Sequence, residues 1–334
     1  MNRLGCHAIA VVLLLGGAGS ALAGDEIVIN CGGPGKQIYL PVKLAEGLGY
    51  FRDEGLEVRI QSETADSYAE DQMLAGAVSG VIGFYGRTIE LQAHGEETES
   101  VVQFSDVPGE MEMVSAHPSR PIASPADFAG KRLGVTAPGA STEWLTRFLA
   151  LTHGVKNGSY SLVPVGAGNH FIAAMREGRI DAGMTTEPTV TRLLKAGDAR
   201  VLLDLRRREE VHRIFGGPFP GASLFMESDW VRAHHEQVRH LVRAFVRTLR
   251  YIREHDAGEI AGYLPSEFFA GDRAGYVEAL QRDKNMFLTD GRMPEQGPAT
   301  VLKVMAQVDP ALAGRHVDLA RTYTNEFADA AARP

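Results

Sequence analysis

The sequence predicts an α/β protein of two domains, each built on a mostly parallel sheet with helices on both faces. Three observations lead to this fold class. The chain has 334 residues, which is long for a single hydrophobic core. Apolar strand-like segments alternate with amphipathic helical segments in β-α-β order. This alternation restarts after Gly109, so two similar units follow one another along the chain.

The first unit begins with alternating apolar and polar residues at 26–30, a pattern typical of a strand. A Gly-rich loop follows, and then helical spacing over residues 38–47. The remaining elements of this unit are predicted as strands at 56–60, 81–84 and 101–104 and a helix at 67–77. Strands separated by helices are expected to pair in parallel.

The second unit repeats the pattern. Its strands are predicted at 111–116, at the end of "SPADFAGKRLGV", at 161–165, after "GRIDAG" and at 201–205, and its helices at 144–151 and 171–177. After Trp230 the chain lacks clear strands, and apolar residues from Val238 to Ile252 form one face of a long helix. Pro265 and Pro294 are expected to break the later helices. We expect this last part to pack on the first unit.

The N-terminus has the composition of an export signal. Arg3 precedes an apolar core at 8–15, and Ala21-Leu22-Ala23 is a small-x-small cleavage site. Residues 1–23 are therefore predicted to be removed. Cys31 would be the one cysteine left, so no intrachain disulfide can form. These features predict a soluble exported protein, located in a bacterial periplasm.

Composition and motifs exclude several function classes. The net charge is −8 and no long basic run occurs, which argues against nucleic acid as a partner. The phosphate-loop and dinucleotide spacings both fail, the latter because Phe171 occupies the third glycine position. No serine lies in a GxSxG elbow, and the zinc motif that His235-Glu236 could begin has Arg239 in place of its second histidine. We therefore predict no catalytic residue, no metal and no cofactor.

Loops at the carboxyl ends of the predicted strands are the natural place for a ligand, because ligands of open α/β sheets bind there. The candidate binding residues in these loops belong to both units. They are Lys36, Gln37, Tyr39, Thr64, Asp66, Tyr85, Arg87, Gly139, Ala140, Ser141, Thr142, Asn169, His170 and Glu187.

The segment "GVTAPGAST" is the strongest of these candidates. A helix start offers unpaired N–H groups and a partial positive charge, and small residues allow an anion to approach them. Ser141 and Thr142 could add hydroxyl donors. The alternative is that one of these hydroxyls caps its own helix. Similar alternatives stay open elsewhere, since Lys36 and Arg87 could be surface charges and Glu187 could belong to a structural turn.

Three segments together resemble a known family: "YLPVKLAEGLGYFRDEGLEVRI", "SPADFAGKRLGVTAPGAST" and "GAGNHFIAAMREGRIDAG". They are similar to the periplasmic substrate-binding proteins of the nitrate, sulfonate, taurine and thiamine-precursor ABC importers. The resemblance extends over nearly the whole mature chain and keeps the order of the motifs. It implies a two-lobed periplasmic binding protein fold of type II, with two hinge strands and one small ligand between the lobes.

The resemblance also implies domain limits and partners. The first lobe would comprise residues 24–105 and the C-terminal part, 216–334, and the second lobe residues 106–215, with crossings near 104–109 and 216–224. Residues 138–142 would meet the acidic group of the ligand. A monomer would close over that ligand and deliver it to an ABC permease and its ATPase in the inner membrane.

The ligand itself does not carry over from the family. Lys36, Arg87 and His170 favour a small organic anion, a sulfonate or carboxylate, which the aromatic residues near the loops suggest could be aromatic. Glu63, Asp66 and other acidic residues oppose a bare anion or would pair with an amine-like group. A thiamine pyrimidine precursor is the alternative ligand, and nitrate is not excluded.

Two alternatives belong to other function classes. Enzymes that synthesise the thiamine pyrimidine resemble this family, but they work inside the cell and carry a cysteine-rich iron site. A signal peptide and a single mature cysteine argue against that activity here. A sensory role, in which the closed protein docks on a receptor rather than a permease, also stays open.

Overall fold

The computed structural model of the chain describes residues 26–33, 35–118, 121–310, 312 and 314–332. The predicted signal peptide and its cleavage site lie outside these residues, so export stays a prediction. The strands are β1 (Ile27–Gly32), β2 (Val58–Glu63), β3 (Gly80–Phe84), β4 (Thr98–Gln103), β5 (Met111–Ser115), β6 (Arg132–Val135), β7 (Ser161–Pro164), β8 (Ala182–Thr185), β9 (Ala199–Asp204) and β10 (Ala222–Glu227).

The helices surround these strands. They are α1 (Leu40–Leu48), α2 (Tyr50–Asp53), α3 (Asp66–Leu74), α4 (Gly86–His94), α5 (Ser141–Thr152), α6 (Asn169–Arg176), α7 (Thr189–Ala196), α8 (Arg208–Phe215), α9 (Ser228–Ala233), α10 (His235–Glu254), α11 (Ala257–Ile260), α12 (Arg273–Asp283), α13 (Gly297–Val308) and α14 (Glu326–Ala332). Short 3-10 turns include Gln37–Tyr39 and Pro125–Phe128.

Two separate sheets confirm the predicted fold class. The first has the strand order β2-β1-β3-β10-β4 and the second the order β7-β6-β8-β5-β9. Each sheet contains one strand that runs against its neighbours, β10 in the first and β5 in the second. The other pairings between these strands are parallel. The expectation of mostly parallel sheets therefore holds, with the sheets mixed rather than uniform.

Strands that differ in burial also differ in the pattern of apolar and polar residues that they show in the sequence. Every residue of β1 and β3 is buried, because these strands lie inside the first sheet with helices on both faces. The edge strand β2 is only partly buried. The alternation that predicted a strand at residues 26–30 falls in β1, so a polar residue in that pattern, Asn30, is buried as well. The long helix α10 buries the predicted apolar face, with Val238, Leu241 and Phe245 each fully enclosed.

The return of the chain to the first sheet overlaps the predicted crossing. The expected crossing at 216–224 overlaps β10, whose residues from Ala222 onward already belong to the first sheet. The connection runs between the end of β9 and the start of β10 and contains α8. The strand "ASLFME" was missed because it is a short apolar run with no strict alternation, and such a run has no diagnostic period.

The two sheets meet along one junction, which we call the seam. The outgoing and returning segments pair there, since the amide of Gly109 donates to the carbonyl of Leu205 at 3.1 Å. The amide of Leu205 in turn donates to the carbonyl of Glu110 at 2.9 Å. Loops from both sheets face each other beside this pairing, and most of the predicted binding residues lie in those loops.

Candidate functional site

A cavity of about 420 Å³ lies between the loops of the two sheets. From the first sheet it is lined by the loops that follow β1 and β2. From the second sheet it is lined by the loops that precede α6 and α7, and a C-terminal turn at 267–270 completes the wall. The volume suits a small organic molecule.

Five of the predicted binding residues line this cavity. They are Lys36, Thr64, Asn169, His170 and Glu187. Thr64, Asn169 and His170 are exposed, so they could contact a ligand without rearrangement. The amide oxygen of Asn169 already accepts a hydrogen bond from Arg192 at 2.8 Å, which fixes its orientation.

The remaining predicted residues do not line this cavity. Gln37 donates from its backbone to the carbonyl of Glu187 at 3.0 Å, which joins the two lobes through their main chains. Tyr39 is buried, with the Lys36 ammonium 5.7 Å from its ring centre. The hydroxyl of Tyr85 lies 2.5 Å from that of Thr322, so Tyr85 is directed toward the C-terminal segment rather than the cavity.

Arg87, in α4, contacts residues of both lobes. Only 2% of its side chain is exposed, so it is not the surface charge that the sequence left open. Its guanidinium donates to Glu70 at 3.3 Å and to Glu90 at 2.8 Å, and to the carbonyl oxygen of Gly139 across the seam. The ring of Trp144 from α5 lies 4.6 Å away. These partners make Arg87 a bridge between the lobes.

Burial alone lowers the pKa of the Arg87 guanidinium, and the surrounding carboxylates more than offset this, so the net direction is upward. Glu70 shows the opposite balance. Burial raises the pKa of its carboxyl to about 8, and Arg87 only partly counters the shift. The Arg87 charge is therefore engaged by protein groups.

Asp66 supports this arrangement from the start of α3. Its carboxylate accepts from the amides of Ser67 and Phe84, each at 3.1 Å, and lies 3.9 Å from the Arg87 Nε. Two glycines make room for it. A Cβ at Gly32 would lie 2.4 Å from the Asp66 nitrogen, and one at Gly83 would lie 2.7 Å from the Asp66 Cβ. Only glycine allows this close approach of helix and strands.

Glu110 lies at the start of β5, where the chain enters the second sheet. Ser141 donates a hydrogen bond to its Oε1 at 2.8 Å. Burial raises the pKa of the Glu110 carboxyl to about 8, and the Ser141 hydrogen bond and the Lys36 charge lower it less than burial raises it. The predicted anion-binding helix start thus already has a carboxyl group against it.

The capping alternative for this helix start is wrong. The residue that precedes α5 is Ala140, and no side chain caps the helix. The Thr142 hydroxyl instead accepts from the amide of Thr136 at 2.9 Å, which holds the loop to β6. Glu143 accepts from the amide of Gly139 at 2.9 Å. Both hydroxyls therefore have partners within the protein.

A second polar cluster lies beside the cavity, and we call it the rim ion network. It consists of Glu187, Asp204, Arg206, Arg282 and Asp283. Glu187 lies 3.1 Å from Arg206 and 2.6 Å from Arg282, which comes from the C-terminal helix α12. Arg206 also bonds to Asp283. The network therefore joins the second sheet to the C-terminal part of the chain.

Glu187 is held firmly within this network. Thr191 donates to it from its amide at 2.9 Å and from its hydroxyl at 3.0 Å. Burial raises the pKa of its carboxyl, and the Thr191 amide and Arg206 partly offset the shift. The structural-turn alternative thus has direct support, although Glu187 also lines the cavity.

Several buried polar atoms near the seam have no hydrogen-bond partner within the described part of the chain. They include Nε of Arg87 and Oε2 of Glu110, and the same holds for both amide atoms of Asn30 in β1 and for Oε1 of Glu112 in β5. Native proteins leave few buried polar groups unpaired, so a concentration of them marks a place where another molecule can bind.

Sequence reasoning missed Glu110, Asn30 and Tyr276. A signal existed for Glu110, because "GEMEMVS" places two acidic residues in alternation with methionine in a predicted strand. Both prove to be buried, and burial likewise raises the pKa of the Glu112 carboxyl to about 8. No comparable signal identifies Tyr276, which reaches the seam from α12 only through the tertiary fold.

Comparison with known proteins agrees with this geometry. The family model described as NMT1/THI5 like matches residues 38–258. A solved structure from Bordetella bronchiseptica RB50 is 34% identical, covers 92% of this chain and 96% of its own, and superposes with a TM-score of 0.86. No curated protein matches the chain.

Two more distant structures share the fold. The alkanesulfonate-binding protein SsuA from Xanthomonas axonopodis pv. citri, bound to MOPS, is 16% identical with a TM-score of 0.69, over 90% of this chain and 98% of its own. The periplasmic nitrate-binding protein NrtA from Synechocystis PCC 6803 is 12% identical with a TM-score of 0.71, over 92% and 88%. The two-lobed type II fold implied by the resemblance is thereby confirmed.

Two further properties of the described residues bear on function. No helix among them is long and apolar enough to cross a bilayer. No group of three or more His, Cys, Asp or Glu side chains within that same part of the chain is arranged to hold a metal ion.

Proposed function

Because this chain belongs to the NMT1/THI5-like family, we propose that it is the extracytoplasmic solute-binding protein of an ABC importer. It captures a small molecule between its lobes and delivers it to a permease and its ATPase. The observation that carries the proposal is the cavity of about 420 Å³ lined by loops from both sheets. A ligand held there contacts both lobes at once and so favours the closed form.

The geometry explains how the protein would capture a ligand without any chemical reaction. Lys36 and Thr64 present one wall of the cavity, and Asn169 and His170 present the other. A ligand bound to one wall would bring the second wall over it as the crossing segments flex. Closure requires only that the ligand bind the closed form more tightly than the open one.

The proposal includes location and partners. The chain acts after export, as a monomer, and the surface formed on closure is what the permease recognises. A small organic anion is the ligand class that the sequence favoured, and a thiamine pyrimidine precursor is its alternative. Which of these two ligand classes binds depends on the charges at the seam.

Capture from a mixture tests this function while the ligand is unidentified. The mature chain is unfolded and refolded to release bound compounds, and then incubated with a small-molecule extract of the source cells. Native mass spectrometry should show one compound bound per chain, and small-angle scattering should show a smaller radius of gyration. A chain that retains no compound and stays open would contradict the proposal.

Delivery of the captured compound to a permease is tested by a separate measurement. Deletion of the gene should abolish uptake of the captured compound by intact cells, and re-expression should restore uptake. Normal uptake in the deletion strain would favour the sensory alternative.

A further inference from the structure

We propose that the ligand carries an apolar group about the size of a six-membered ring, and that Phe268 is the residue that selects this group. The inference rests on the proposed function, because it names a feature of the ligand held in the same cavity. Phe268 belongs to the 3-10 turn Ser266–Phe269, which leads into α12 and is part of neither sheet.

The composition of the cavity wall is the first support. The loops of the two sheets contribute glycines, charged side chains and small polar side chains, with Ala167 and Pro188 as the apolar exceptions. Within the described part of the chain, Phe268 is the one large apolar side chain that lines the cavity. An apolar part of a ligand that covers this ring favours binding roughly in proportion to the apolar area removed from water.

The aromatic residues close to the strand loops do not supply such a wall. Neither Tyr39 nor Tyr85 lines the cavity. Phe219, in the segment that returns to the first sheet, packs on Phe215 with the two ring centres 4.7 Å apart. An apolar group of a ligand in this cavity therefore has Phe268 as its partner.

Contacts to both lobes hold the segment that carries Phe268, and they are the second support. The side-chain amide of Gln37, in the first lobe, donates a hydrogen bond to the carbonyl of Tyr276 in α12 at 3.3 Å. Lys195 of α7, in the second lobe, lies 3.4 Å from the carboxylate of Asp272, which directly precedes α12. The turn is thereby fixed relative to both walls of the cavity when the lobes are closed.

The backbone beside Phe268 is the third support. Ala270 lines the cavity with a φ of 46°, and it is the one non-glycine residue with a positive φ among those that the structure describes. This left-handed conformation is rare for alanine and costs free energy. Strained residues of this kind concentrate at ligand sites, where the surrounding packing holds them. Here the strained residue sets the direction of the turn that presents Phe268.

Phe269 provides a matched control. It follows Phe268 in the same turn and is also buried, but it does not line the cavity. Its ring packs edge-to-face against Tyr276 with the ring centres 5.3 Å apart. Phe269→Ala therefore removes the same atoms as Phe268→Ala from the same turn, but outside the cavity wall.

The experiment compares probes that share a polar group and differ in their apolar part. Benzenesulfonate is paired with methanesulfonate, benzoate with acetate, and benzylamine with methylamine. Binding to the mature chain is measured by thermal shift at millimolar probe and then by calorimetry. We expect the ring compound of a pair to bind at least about tenfold more tightly than its methyl counterpart. Phe268→Ala should abolish most of this difference, and Phe269→Ala should preserve it.

The ratio of the two affinities separates ligand contact from general destabilisation, because both probes of a pair bind the same folded chain. Loss of a buried ring can itself unfold a protein, so Phe268→Leu and Phe269→Leu form a second, milder pair of variants. Urea denaturation without probe shows which variants are folded. Phe268→Leu should reduce the ratio less than Phe268→Ala does, since leucine still covers part of the ring.

Three results would overturn the inference: a methyl probe that binds as tightly as its ring partner, no binding of any ring compound at millimolar concentration, or an equal fall of the ratio in the Phe268 and Phe269 variants. Each can be told apart from failure of the proposed function. Capture of a compound with closure of the lobes upholds that function whatever the probes do. A captured compound without an apolar group, such as an inorganic anion, would overturn this inference alone.

Discussion

The rim ion network and the seam around Arg87 and Glu110 both join the lobes, yet they differ in how fully their polar atoms are paired. In the rim ion network each carboxylate oxygen of Glu187, Asp204 and Asp283 accepts at least one hydrogen bond. Around Arg87 and Glu110, several buried polar atoms have no partner among the described residues. We infer that the rim stabilises closure by itself, while the centre needs a ligand to complete its hydrogen bonds.

This difference has a physical cause. A buried charge is tolerated when opposite charges and hydrogen bonds surround it, as they surround Glu187. An unpaired buried group destabilises the fold unless something else compensates it. A binding protein gains from keeping such groups at its centre, because the ligand then stabilises the closed form more than the open one.

The largest expected effect comes from removing the central cation. Arg87→Gln should lower the free energy of unfolding by about 3–5 kcal/mol, because the carboxyl groups of Asp66 and Glu70 would stay buried without their partner. Urea denaturation measures the change. Arg213→Gln is the control, since Arg213 is exposed and pairs with Glu210 on its own helix, so about 0.5 kcal/mol or less is expected. Equal effects of both substitutions would contradict a bridging role for Arg87.

Substitutions in the rim ion network should weaken closure of the lobes without changing which ligand the protein prefers. Arg206→Gln is expected to reduce the affinity for the captured compound about tenfold, equivalent to about 1.4 kcal/mol, because it removes contacts made on closure. The neighbouring Arg207 bonds to the same Asp204 but is 69% exposed, so Arg207→Gln serves as the control and should change affinity little. If Arg206→Gln changed which compound is captured from the extract, the rim ion network would belong to the ligand site.

The buried carboxyls predict a pH dependence of stability. Burial raises the pKa of Glu110 and of Glu112 to about 8, above the value of 4.5 for a free glutamate. The folded chain therefore holds more protons than the unfolded chain between these limits. The unfolding free energy should fall as pH rises from about 4.5 to about 8. Glu112→Gln should make this decline shallower, and an unchanged slope in urea titrations would show that Glu112 is normally ionised.

The smallest expected effects on stability and affinity come from the hydroxyl groups of Ser141 and Thr142 at the start of α5. Ser141→Ala and Thr142→Ala should each cost about 1 kcal/mol of stability, the usual value for one lost hydrogen bond. Only Ser141→Ala should also change ligand affinity, because Ser141 bonds to Glu110 whereas Thr142 bonds to Thr136. Calorimetry with the captured compound distinguishes the two variants. Equal loss of affinity in both variants would return the helix start to the role of a direct ligand contact.

Much of the secondary structure could be predicted from the sequence because it depends on short-range patterns of apolar and polar residues. The edge strand β2 and the long face of α10 show periods that only one secondary structure satisfies. The buried strand β10 was missed, since a short apolar run has no diagnostic period. The loops that line the cavity were found because ligands of α/β sheets bind at strand ends, a rule of topology rather than of particular residues.

The roles of individual site residues were less predictable. The sequence predicted Arg87 and Ser141 as ligand contacts, but it did not show that Glu70, Glu90 and Glu110 would bond to them. Two of these three partners come from other elements of the chain. A cationic residue in a loop attracts an anionic ligand only while no carboxylate of the protein pairs with it. The sequence does not show which residues pair, because the partners are brought together by the fold.

The sequence by itself determined the two-lobed α/β fold, the family and the loops that form the cleft, because periodicity, turn residues and motif order are local properties of the chain. The tertiary structure alone decided which charges are matched. Pairing depends on distances between residues far apart in sequence, such as Arg206 and Asp283 or Glu110 and Ser141. In a buried site the electrostatic energy depends on those distances and on the exclusion of water, and only the packed fold sets both.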